Sequence, residues 1–525
     1  FPQLLQGIVE QASGFLMAVS VLLLLLALAL PVLLVLAGPW RKRPGLPPGP
    51  RPWPVVGNLP DLLLRQLLRG QQLHAALAAI ADSHGPLVHL RLGATHLVVA
   101  SSPSAAFQVL NAHDRDLSGR HVPAAYRVPC YSEHSLVWRP RCDDYWRSLR
   151  GLFRANLLSS RSLEGSASSR ERKAGEMVRF LQSRQGEEVR VGKVAFATIF
   201  NMLGNMLYSG DVLSLENGKG LFPELKSHMA RILELGVVPN VEDFFPAVAG
   251  GLDLQGLRRE VLAYLEKLYA MWGVVLQQRR VDMERDVDGG GAKEDFLKVL
   301  LASGLGDVQI KALMLSIWQD IFTAGTDTST TLTEWAMSEL VKNSEVMNKV
   351  IDELEGVMGD PKKGNNIILE SQLVHLTYLH ACIKETLRLH PPAPLLLPRH
   401  AIDACEMMNY TIPKDCAVMV NAWAIGRDPK IWKDPLVFSP ERFLDCSLDY
   451  KGADYEFIPF GGGRRTCPGL SMAIREVQLV VASMVHNFDW FLPNGMDPTK
   501  LNMDERLGLV LERKQPLVLI PKSNM

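Results

Sequence analysis

The chain has 525 residues, of which 47% are hydrophobic, and its 56 basic and 56 acidic side chains give a net charge of zero. A neutral chain has no overall positive field to attract nucleic acid, so nucleic acid is excluded as a partner. Its seven cysteines lie at wide, irregular spacings that match neither a zinc site nor a disulfide framework. These features favour a large chain with free thiols in a reducing compartment.

An apolar segment near the start of the chain, 14–37, is predicted to cross a membrane. As a helix it would span roughly 36 Å, enough for the hydrocarbon core of a bilayer. It is longer than the apolar part of a cleaved signal peptide, and three basic residues follow it at 41–43. Because positive residues stay on the cytosolic side, we expect residues 1–13 in the lumen and the rest of the chain in the cytosol.

A basic and proline-rich segment, 38–58, follows the predicted anchor. Six prolines lie between positions 44 and 58. Since proline fixes φ and excludes helix, we expect an extended spacer here.

The remaining residues, 59–525, are predicted to form one large, mainly α domain with small β-sheets. Helical periodicity dominates, and no repeat of fixed period is present. Two alternating segments, 86–93 and 95–102, are predicted to be strands joined by a turn. Two polar stretches, 159–173 and 284–295, are predicted to be surface loops.

The segment 318–340 is predicted to be a helix with an unusual centre. Glycine inside a helix costs about 1 kcal/mol relative to alanine, so Gly325, next to Ala324, is expected to leave room for a small ligand. The neighbouring acid and alcohol, Asp327 and Thr328, could relay protons. The alternative is that Thr328 bonds to the carbonyl four residues earlier while Asp327 is solvated.

Two shorter segments place residue pairs on one face of a helix. Trp146 and Arg150 are four residues apart in DYWRSLR, and Glu385 and Arg388 are three apart in KETLRLHPPAP. Both spacings bring side chains together. A charged pair such as Glu385–Arg388 is common on protein surfaces, so this pair does not define a function by itself.

The segment 457–470, FIPFGGGRRTCPGL, carries a single cysteine, Cys467. Its glycines exclude helix and allow a close approach of the backbone. An amphipathic helix is predicted from Ser471, so the thiol lies near a helix N-terminus and close to arginines. Both features are expected to lower its pKa and favour the thiolate, which is the form that binds iron. The alternative is a small buried apolar side chain.

This segment resembles the haem-binding loop of the cytochrome P450 monooxygenases. It satisfies the family pattern F-x-x-G-x-R-x-C-x-G at five positions: Phe460, Gly463, Arg465, Cys467 and Gly469. The resemblance implies that Cys467 is the axial thiolate ligand of the iron of haem b, where electron donation favours O–O cleavage. It also implies that Arg465 reaches a haem propionate.

Other motifs resemble the same family. The helix centre matches (A/G)-G-x-(D/E)-T-(T/S), which implies oxygen activation beside Gly325 and proton delivery by Asp327 and Thr328. The E-x-x-R motif and the PERF segment imply a structural charge network of three residues: Glu385, Arg388 and Arg442.

Two more matches concern the haem propionates. Trp146 and Arg150 match W-R-x-x-R, and Arg399 in LLLPRH matches a further arginine that contacts propionates. The chain departs from plant relatives just before Trp146, where Arg139–Cys142 replaces a glycine turn. The start of that helix is therefore open.

The resemblance also suggests a substrate class. It implies a mostly apolar pocket, suited to a hydrophobic or aromatic small molecule, with walls from four segments: 121–137, 317–324, 395–397 and 507–509. Three segments, at 408–415, 420–429 and 448–465, resemble the plant N-methylcoclaurine 3'-hydroxylase group of benzylisoquinoline alkaloid metabolism. That group includes hydroxylases and phenol-coupling oxidases, and geraniol and flavonoid hydroxylases share much of the pattern. A haem-thiolate isomerase or a haem carrier is a further alternative, which the intact acid–alcohol pair disfavours.

The chain has no flavin or nicotinamide fingerprint, so its electrons must come from another protein. The resemblance implies an NADPH–cytochrome P450 reductase in the same endoplasmic reticulum membrane, with cytochrome b5 as a further partner and O2 and NADPH as co-substrates. Arg147, Arg154 and Arg464 are expected to dock the acidic reductase; the alternative is a solvated charged face. The implied topology is single-pass, with the lipid bilayer holding the anchor and the catalytic domain on the cytosolic side.

Overall fold

The computed structural model describes most of the chain after residue 44. The described residues are 45–128, 131–215, 225–249, 251–285, 295–304, 306–359 and 367–524. The predicted anchor, 14–37, and most of the predicted loop 284–295 therefore lie outside them. Across the described ranges, no helix is both long enough and apolar enough to cross a membrane.

Helices make up most of the described chain. The α-helices are α1 Leu59–Arg69, α2 Leu73–His84, α3 Pro103–Phe107, α4 Asp144–Phe153, α5 Ser160–Gly165, α6 Ala167–Ser183, α7 Val191–Tyr208, α8 Leu225–Val237, α9 Val241–Phe244, α10 Pro246–Ala249, α11 Leu257–Arg285, α12 Phe296–Ala302, α13 Asp307–Ile317, α14 Ala324–Lys342, α15 Ser344–Met358, α16 Thr377–Leu389, α17 Ala422–Ile425 and α18 Leu470–Asn487. π-Helical turns occupy Gln108–Ala112, Arg154–Leu158 and Trp318–Thr323, and 3₁₀ turns include Ala124–Tyr126, Glu370–His375, Pro440–Phe443 and Gly463–Arg465.

The strands are short. They are β1 Leu87–Leu92, β2 Thr95–Ala100, β3 Gly119–Arg120, β4 Val189–Arg190, β5 Arg399–His400, β6 Cys405–Met407, β7 Tyr410–Ile412, β8 Ala417–Val420, β9 Phe488–Phe491, β10 Glu505–Leu507, β11 Leu511–Arg513 and β12 Val518–Ser523. The largest sheet has the order β1-β2-β8-β5-β3, in which β2 and β8 are parallel and the other neighbours are antiparallel. A second sheet has the order β4-β12-β9, and β6–β7 and β10–β11 are separate antiparallel pairs.

The fold class that the sequence predicts, mainly helical with small sheets, is confirmed. The two predicted strands are β1 and β2, paired so that Leu87 lies opposite Ala100. The predicted helix 318–340 is a π-helical turn followed by α14.

A large apolar core lies between the helices. It contains side chains of α6, α7, α11, α14, α16 and α18, while two smaller clusters pack on the two faces of the main sheet. The predicted helix after Cys467 is present as α18, but it is not amphipathic. From Val477 to Asn487 the side chains on all faces of this helix are buried, because neighbouring helices and β9 surround the helix.

The segment 159–173, predicted to be a surface loop, is instead helical and partly buried. Ser159 begins α5 by accepting a hydrogen bond from the N–H of Ser162 at 3.2 Å. Arg170 of α6 is buried in a bidentate pair with Glu370. The prediction was wrong because the partner of this charge lies 200 positions further along the chain.

The described part of the proline-rich segment, 45–58, packs on the main sheet. The carbonyl of Pro48 accepts a hydrogen bond from the N–H of His89 at 2.9 Å. A Cβ on Gly49 would lie 2.0 Å from the carbonyl oxygen of His89, so only glycine allows this approach. The segment is attached to the sheet and turns back on itself where Trp53 pairs with Gly57, so it is not the extended spacer that the sequence predicts.

Candidate active site

The loop that carries Cys467 is shaped by its glycines. Gly461 and Gly463 have φ values of 69° and 68°, which favour glycine. A Cβ on Gly463 would lie 2.2 Å from the carbonyl oxygen of Leu110. The loop closes where the N–H of Cys467 donates to the carbonyl of Phe460 at 3.0 Å, three residues before α18 begins.

The electrostatic environment of Cys467 differs from the prediction. Burial raises the pKa of this thiol, while hydrogen bonds from the N–H groups of Gly469 and Leu470 and the charge of Arg150 lower it. The expected lowering by the arginines and the helix terminus is therefore outweighed in the protein chain alone. The reason is that removing a thiolate from water costs more than these partners return.

Asp327 and Thr328 lie in the first turns of α14, directly after the π-helical turn Trp318–Thr323. The hydroxyl of Thr328 donates to the carbonyl of Ala324, as the alternative reading of the sequence proposed. Its oxygen keeps lone pairs that can accept a hydrogen bond from another group. Nearby on α14, the buried hydroxyls of Thr326 and Ser329 have no hydrogen-bond partner within the described part of the chain.

The structure shows a packing reason for Gly325. A Cβ at this position would lie 3.2 Å from a methyl group of Leu203 on α7. That distance is tighter than ordinary van der Waals contact, so the Leu203 side chain would have to shift by a few tenths of an ångström to admit a methyl group here. The expected space for dioxygen beside Gly325 stays a prediction.

Trp146 and Arg150 project from α4 toward the cysteine loop. The helix begins where the carboxylate of Asp143 accepts the N–H of Trp146 at 2.9 Å, which settles its start. Arg150 donates to the carbonyl of Thr466 at 2.7 Å. The guanidinium of Arg465 lies 4.8 Å from the centre of the Trp146 ring. The two predicted segments are therefore in direct contact.

Two further arginines join this group. Arg399 of β5 donates to the carbonyl of Gly462 at 2.8 Å and pairs with Asp114 at 2.9 Å. Arg120 of β3 is buried as well, and the sequence analysis did not identify it. Burial and the charges of Arg465 and Arg399 lower the pKa of Arg120. We call Arg120, Arg150, Arg399 and Arg465 the arginine cluster.

Asp320 is a second residue that the sequence analysis missed. It lies in the π-helical turn before α14 and is 7% exposed. Burial raises its pKa to about 7, opposed by hydrogen bonds from the hydroxyl of Ser135 and the N–H groups of Val137 and Leu136. The signal in the sequence is a single acid inside an apolar run, LSIWQDIFTAG, which gives no indication of its partners.

The three residues of the expected charge network lie together. Glu385 and Arg388 are fully buried on α16 and form a bidentate pair at 2.7 and 2.8 Å. Arg442 donates to the same carboxylate at 2.9 Å. Arg388 also donates to the carbonyls of Gly426 and Pro435, so the network joins α16 to the irregular segment before the cysteine loop.

The helices bring these groups into one region. α14, which carries Asp327 and Thr328, packs against α18, which follows Cys467, and against α16. A mainly helical fold with a cysteine loop, a buried arginine cluster and a hydroxyl-bearing helix on these elements defines the cytochrome P450 class. The family model for cytochrome P450 matches residues 47–520, and the chain belongs to this family.

Two similar proteins are (S)-N-methylcoclaurine 3'-hydroxylases. The chain is 48% identical over 483 residues to a probable isozyme 2 of Coptis japonica, which covers 92% of this chain and 94% of the relative. It is 46% identical over 480 residues to isozyme 1 of Eschscholzia californica, which covers 91% and 94%. Corytuberine synthase of Coptis japonica is 43% identical over 484 residues, with 92% and 95% covered.

Family membership confirms the enzyme class that the motifs indicate. The chain is an oxidoreductase, a monooxygenase that uses haem iron, O2 and electrons from NADPH supplied through a reductase. The residues present fit haem. Arg120, Arg399 and Arg465 are buried and Arg150 is half-buried, and the carboxylate paired with this cluster in the described chain is Asp114 alone. Haem carries two propionates that would balance this excess of buried positive charge.

Proposed function

We propose that Cys467 is the iron ligand and that the arginine cluster, with Trp146, holds the haem propionates. Bound haem supplies an iron centre that activates dioxygen, and a thiolate ligand favours O–O cleavage. The N–H groups of Gly469 and Leu470 donate hydrogen bonds to the sulfur and stabilise its anionic form. Phe460, Gly463 and Gly469 shape the loop that presents it.

The experiment for this assignment is Cys467→Ser, with Cys446→Ser as the matched control because Cys446 is a second half-buried thiol. The serine hydroxyl stays protonated and cannot donate charge as a thiolate does. We expect Cys467→Ser to lose both turnover and the characteristic spectrum of the reduced carbonyl complex, while Cys446→Ser keeps both. Survival of that spectrum in Cys467→Ser would falsify the assignment.

We propose that Asp327 and Thr328 deliver protons to the oxygen-binding side of α14, next to Ala324 and Gly325. The hydroxyl of Thr328 holds its own proton toward the Ala324 carbonyl and accepts through its remaining lone pairs. Asp327, one residue earlier, supplies an ionisable group that exchanges protons with solvent. The chain thus has an acid and an alcohol adjacent on one helix.

We propose that the substrate is a benzylisoquinoline alkaloid such as N-methylcoclaurine and that the reaction is hydroxylation. The observation that carries this proposal is the 46–48% identity, over nine-tenths of the chain, to (S)-N-methylcoclaurine 3'-hydroxylases. A second candidate is oxidative phenol coupling, which the 43% identity to corytuberine synthase favours. Terpenol and flavonoid hydroxylation are the remaining alternatives.

One experiment separates these reactions. The full chain is incubated with a reductase, NADPH and a panel of coclaurine-type alkaloids, geraniol-type terpenols and flavonoids. The masses of the products are then measured by mass spectrometry. Hydroxylation adds one oxygen atom, whereas coupling yields a dimer or removes two hydrogens. Turnover of terpenols or flavonoids without turnover of alkaloids contradicts the proposed substrate class.

We propose a single-pass location in the endoplasmic reticulum membrane, with the catalytic domain in the cytosol beside its reductase and cytochrome b5. The support is the uncharged apolar segment 14–37 and the basic residues 41–43 that follow it. Removal of residues 1–43 is expected to shift the protein from the microsomal pellet toward the supernatant.

A further inference from the structure

The turn Ser135–Trp138 connects Asp320 to the arginine cluster. On one side the carboxylate of Asp320 accepts the Ser135 hydroxyl at 2.8 and 2.9 Å and the N–H of Leu136 at 2.6 Å. The N–H of Val137 points to the same oxygen at 3.3 Å. The Ser135 hydroxyl also accepts the N–H of Trp138 at 2.8 Å, which closes the turn.

The carbonyl groups of the same stretch face the arginines. The carbonyl of Leu136 accepts the indole N–H of Trp146 at 2.9 Å and Nη1 of Arg465 at 3.3 Å. The carbonyl of Val137 accepts Nε of Arg120 at 3.2 Å, and the carbonyl of the next residue but one, Arg139, accepts Nη2 of Arg465 at 2.7 Å.

These contacts align the peptide dipoles between the carboxyl group of Asp320 and a group of cations. The positive N–H ends point to Asp320, and the negative carbonyl ends point to the guanidinium groups. A buried carboxylate is costly unless donors surround it, and buried arginines are costly unless acceptors surround them. The turn supplies N–H donors to Asp320 and carbonyl acceptors to the arginines. A change at Asp320 is therefore expected to move the backbone that holds the arginines.

We propose that Asp320 is a positioning residue that, through the turn Ser135–Trp138, fixes Trp146 and the arginine cluster in the arrangement that retains the cofactor. This inference rests on the proposed function, in which those side chains hold the haem propionates. It adds that retention depends on a carboxylate that precedes α14 and contacts none of the cluster's guanidinium groups in the described structure.

The test compares two neutral variants. Asp320→Asn keeps the size of the side chain but turns one of its two acceptor oxygens into a donor, so the amide cannot accept from the Ser135 hydroxyl and the Leu136 N–H through both atoms as the carboxylate does. Glu334→Gln is the matched control, because Glu334 is a carboxylate on α14 that accepts the N–H of Leu517 at 2.7 Å, away from the cluster. The measurement is the rate at which haem passes from the purified full chain to excess apomyoglobin.

We expect Asp320→Asn to release haem about tenfold faster than the wild type, and Glu334→Gln to release it at the wild-type rate. Ser135→Ala keeps the carboxylate and removes one donor, so an increase of about threefold is expected and the test survives if Asp320→Asn does not fold. Equal rates in wild type, Asp320→Asn and Ser135→Ala overturn the inference. Failure of the proposed function would differ, since Cys467→Ser would then keep the wild-type spectrum.

Discussion

At the scale of single residues, the site contains buried ionisable side chains that have few partners of opposite charge. Arg120 and Arg465 donate to backbone carbonyls, and Asp320 accepts from a hydroxyl and two N–H groups. Such hydrogen bonds hold a buried ion at a defined place. The side chains around the proposed cofactor are therefore positioned mainly by backbone groups.

Thr328→Ala is expected to separate oxygen consumption from product formation. Loss of the hydroxyl removes one member of the proposed proton path beside Ala324, so NADPH oxidation should continue while product per NADPH falls by about tenfold or more. Thr328→Ser should keep most of the coupling. The control is Thr333→Ala, whose buried hydroxyl donates to the carbonyl of Ser329 at 2.8 Å on the same helix. Equal coupling in the two alanine variants contradicts the proton-delivery role.

Glu476 on α18 should make stability depend on pH. Burial raises its pKa to about 8, whereas its ordinary value is 4.5, so the folded protein binds a proton that the unfolded chain releases. The free energy of unfolding should therefore fall as the pH rises from about 4.5 to about 8, by on the order of 4 kcal/mol from this group.

Glu476→Gln stays neutral at every pH and should remove this part of the pH dependence. The measurement is urea unfolding at pH 5 and at pH 8.5, with the exposed Glu187→Gln as the control. An unchanged difference between the two pH values in Glu476→Gln shows that the carboxyl ionises as readily in the fold as in the unfolded chain.

At the scale of elements, two short turns decide the geometry of the site. One is the turn Ser135–Trp138, and the other is the loop Phe460–Gly469. Both lie next to long buried helices, α14 and α18, which limit where their backbones can go. A glycine is required where a loop approaches another backbone closely, as at Gly463.

Gly463→Ala is expected to destabilise the protein by several kcal/mol, on the order of 3, and to reduce bound haem. The new Cβ would meet the Leu110 carbonyl at 2.2 Å, so the loop must move. Gly495→Ala is the matched control, because Gly495 has a similar φ of 63° and no atom within 4 Å of an added Cβ. It should cost about 1 kcal/mol. Similar unfolding midpoints for the two variants would show that the approach to Leu110 is not limiting.

At the scale of the whole molecule, the neutral net charge hides a local excess of exposed arginine around α4. Arg147 and Arg154 are exposed at α4 and the π-helical turn after it, although Arg147 pairs with Asp144. Arg464 is exposed on the cysteine loop and pairs with Asp114 at 3.0 Å. This surface lies next to the loop of Cys467, where we expect the reductase to approach.

Reversal of two of these charges, Arg147→Glu with Arg154→Glu, should slow reduction by the reductase about tenfold at low ionic strength. The difference should shrink at high salt, because screening weakens attraction between exposed charges. The spectrum of the reduced carbonyl complex should be unchanged. The control is Arg172→Glu with Arg184→Glu, two exposed arginines of which the first lies on α6 and the second directly follows it. Unchanged reduction kinetics in the first variant contradict the docking role.

The sequence by itself determined the chemistry of this protein. The spacing around Cys467, the Asp327–Thr328 pair on its helix and the Glu385–Arg388 pair are local patterns, since each lies within one turn or one loop. Local patterns are readable because neighbouring positions dictate which side chains meet. The enzyme class followed from these short segments.

Only the tertiary structure decided which distant residues complete the site. Arg120, Asp320 and Arg170 each meet partners more than 15 positions away in sequence, and two of those partners are backbone groups that every residue possesses. No local pattern of side chains in the sequence predicts such a contact. The predicted lowering of the Cys467 pKa was wrong for the same reason, because burial depends on the packing of the whole fold and not on the residues beside the thiol.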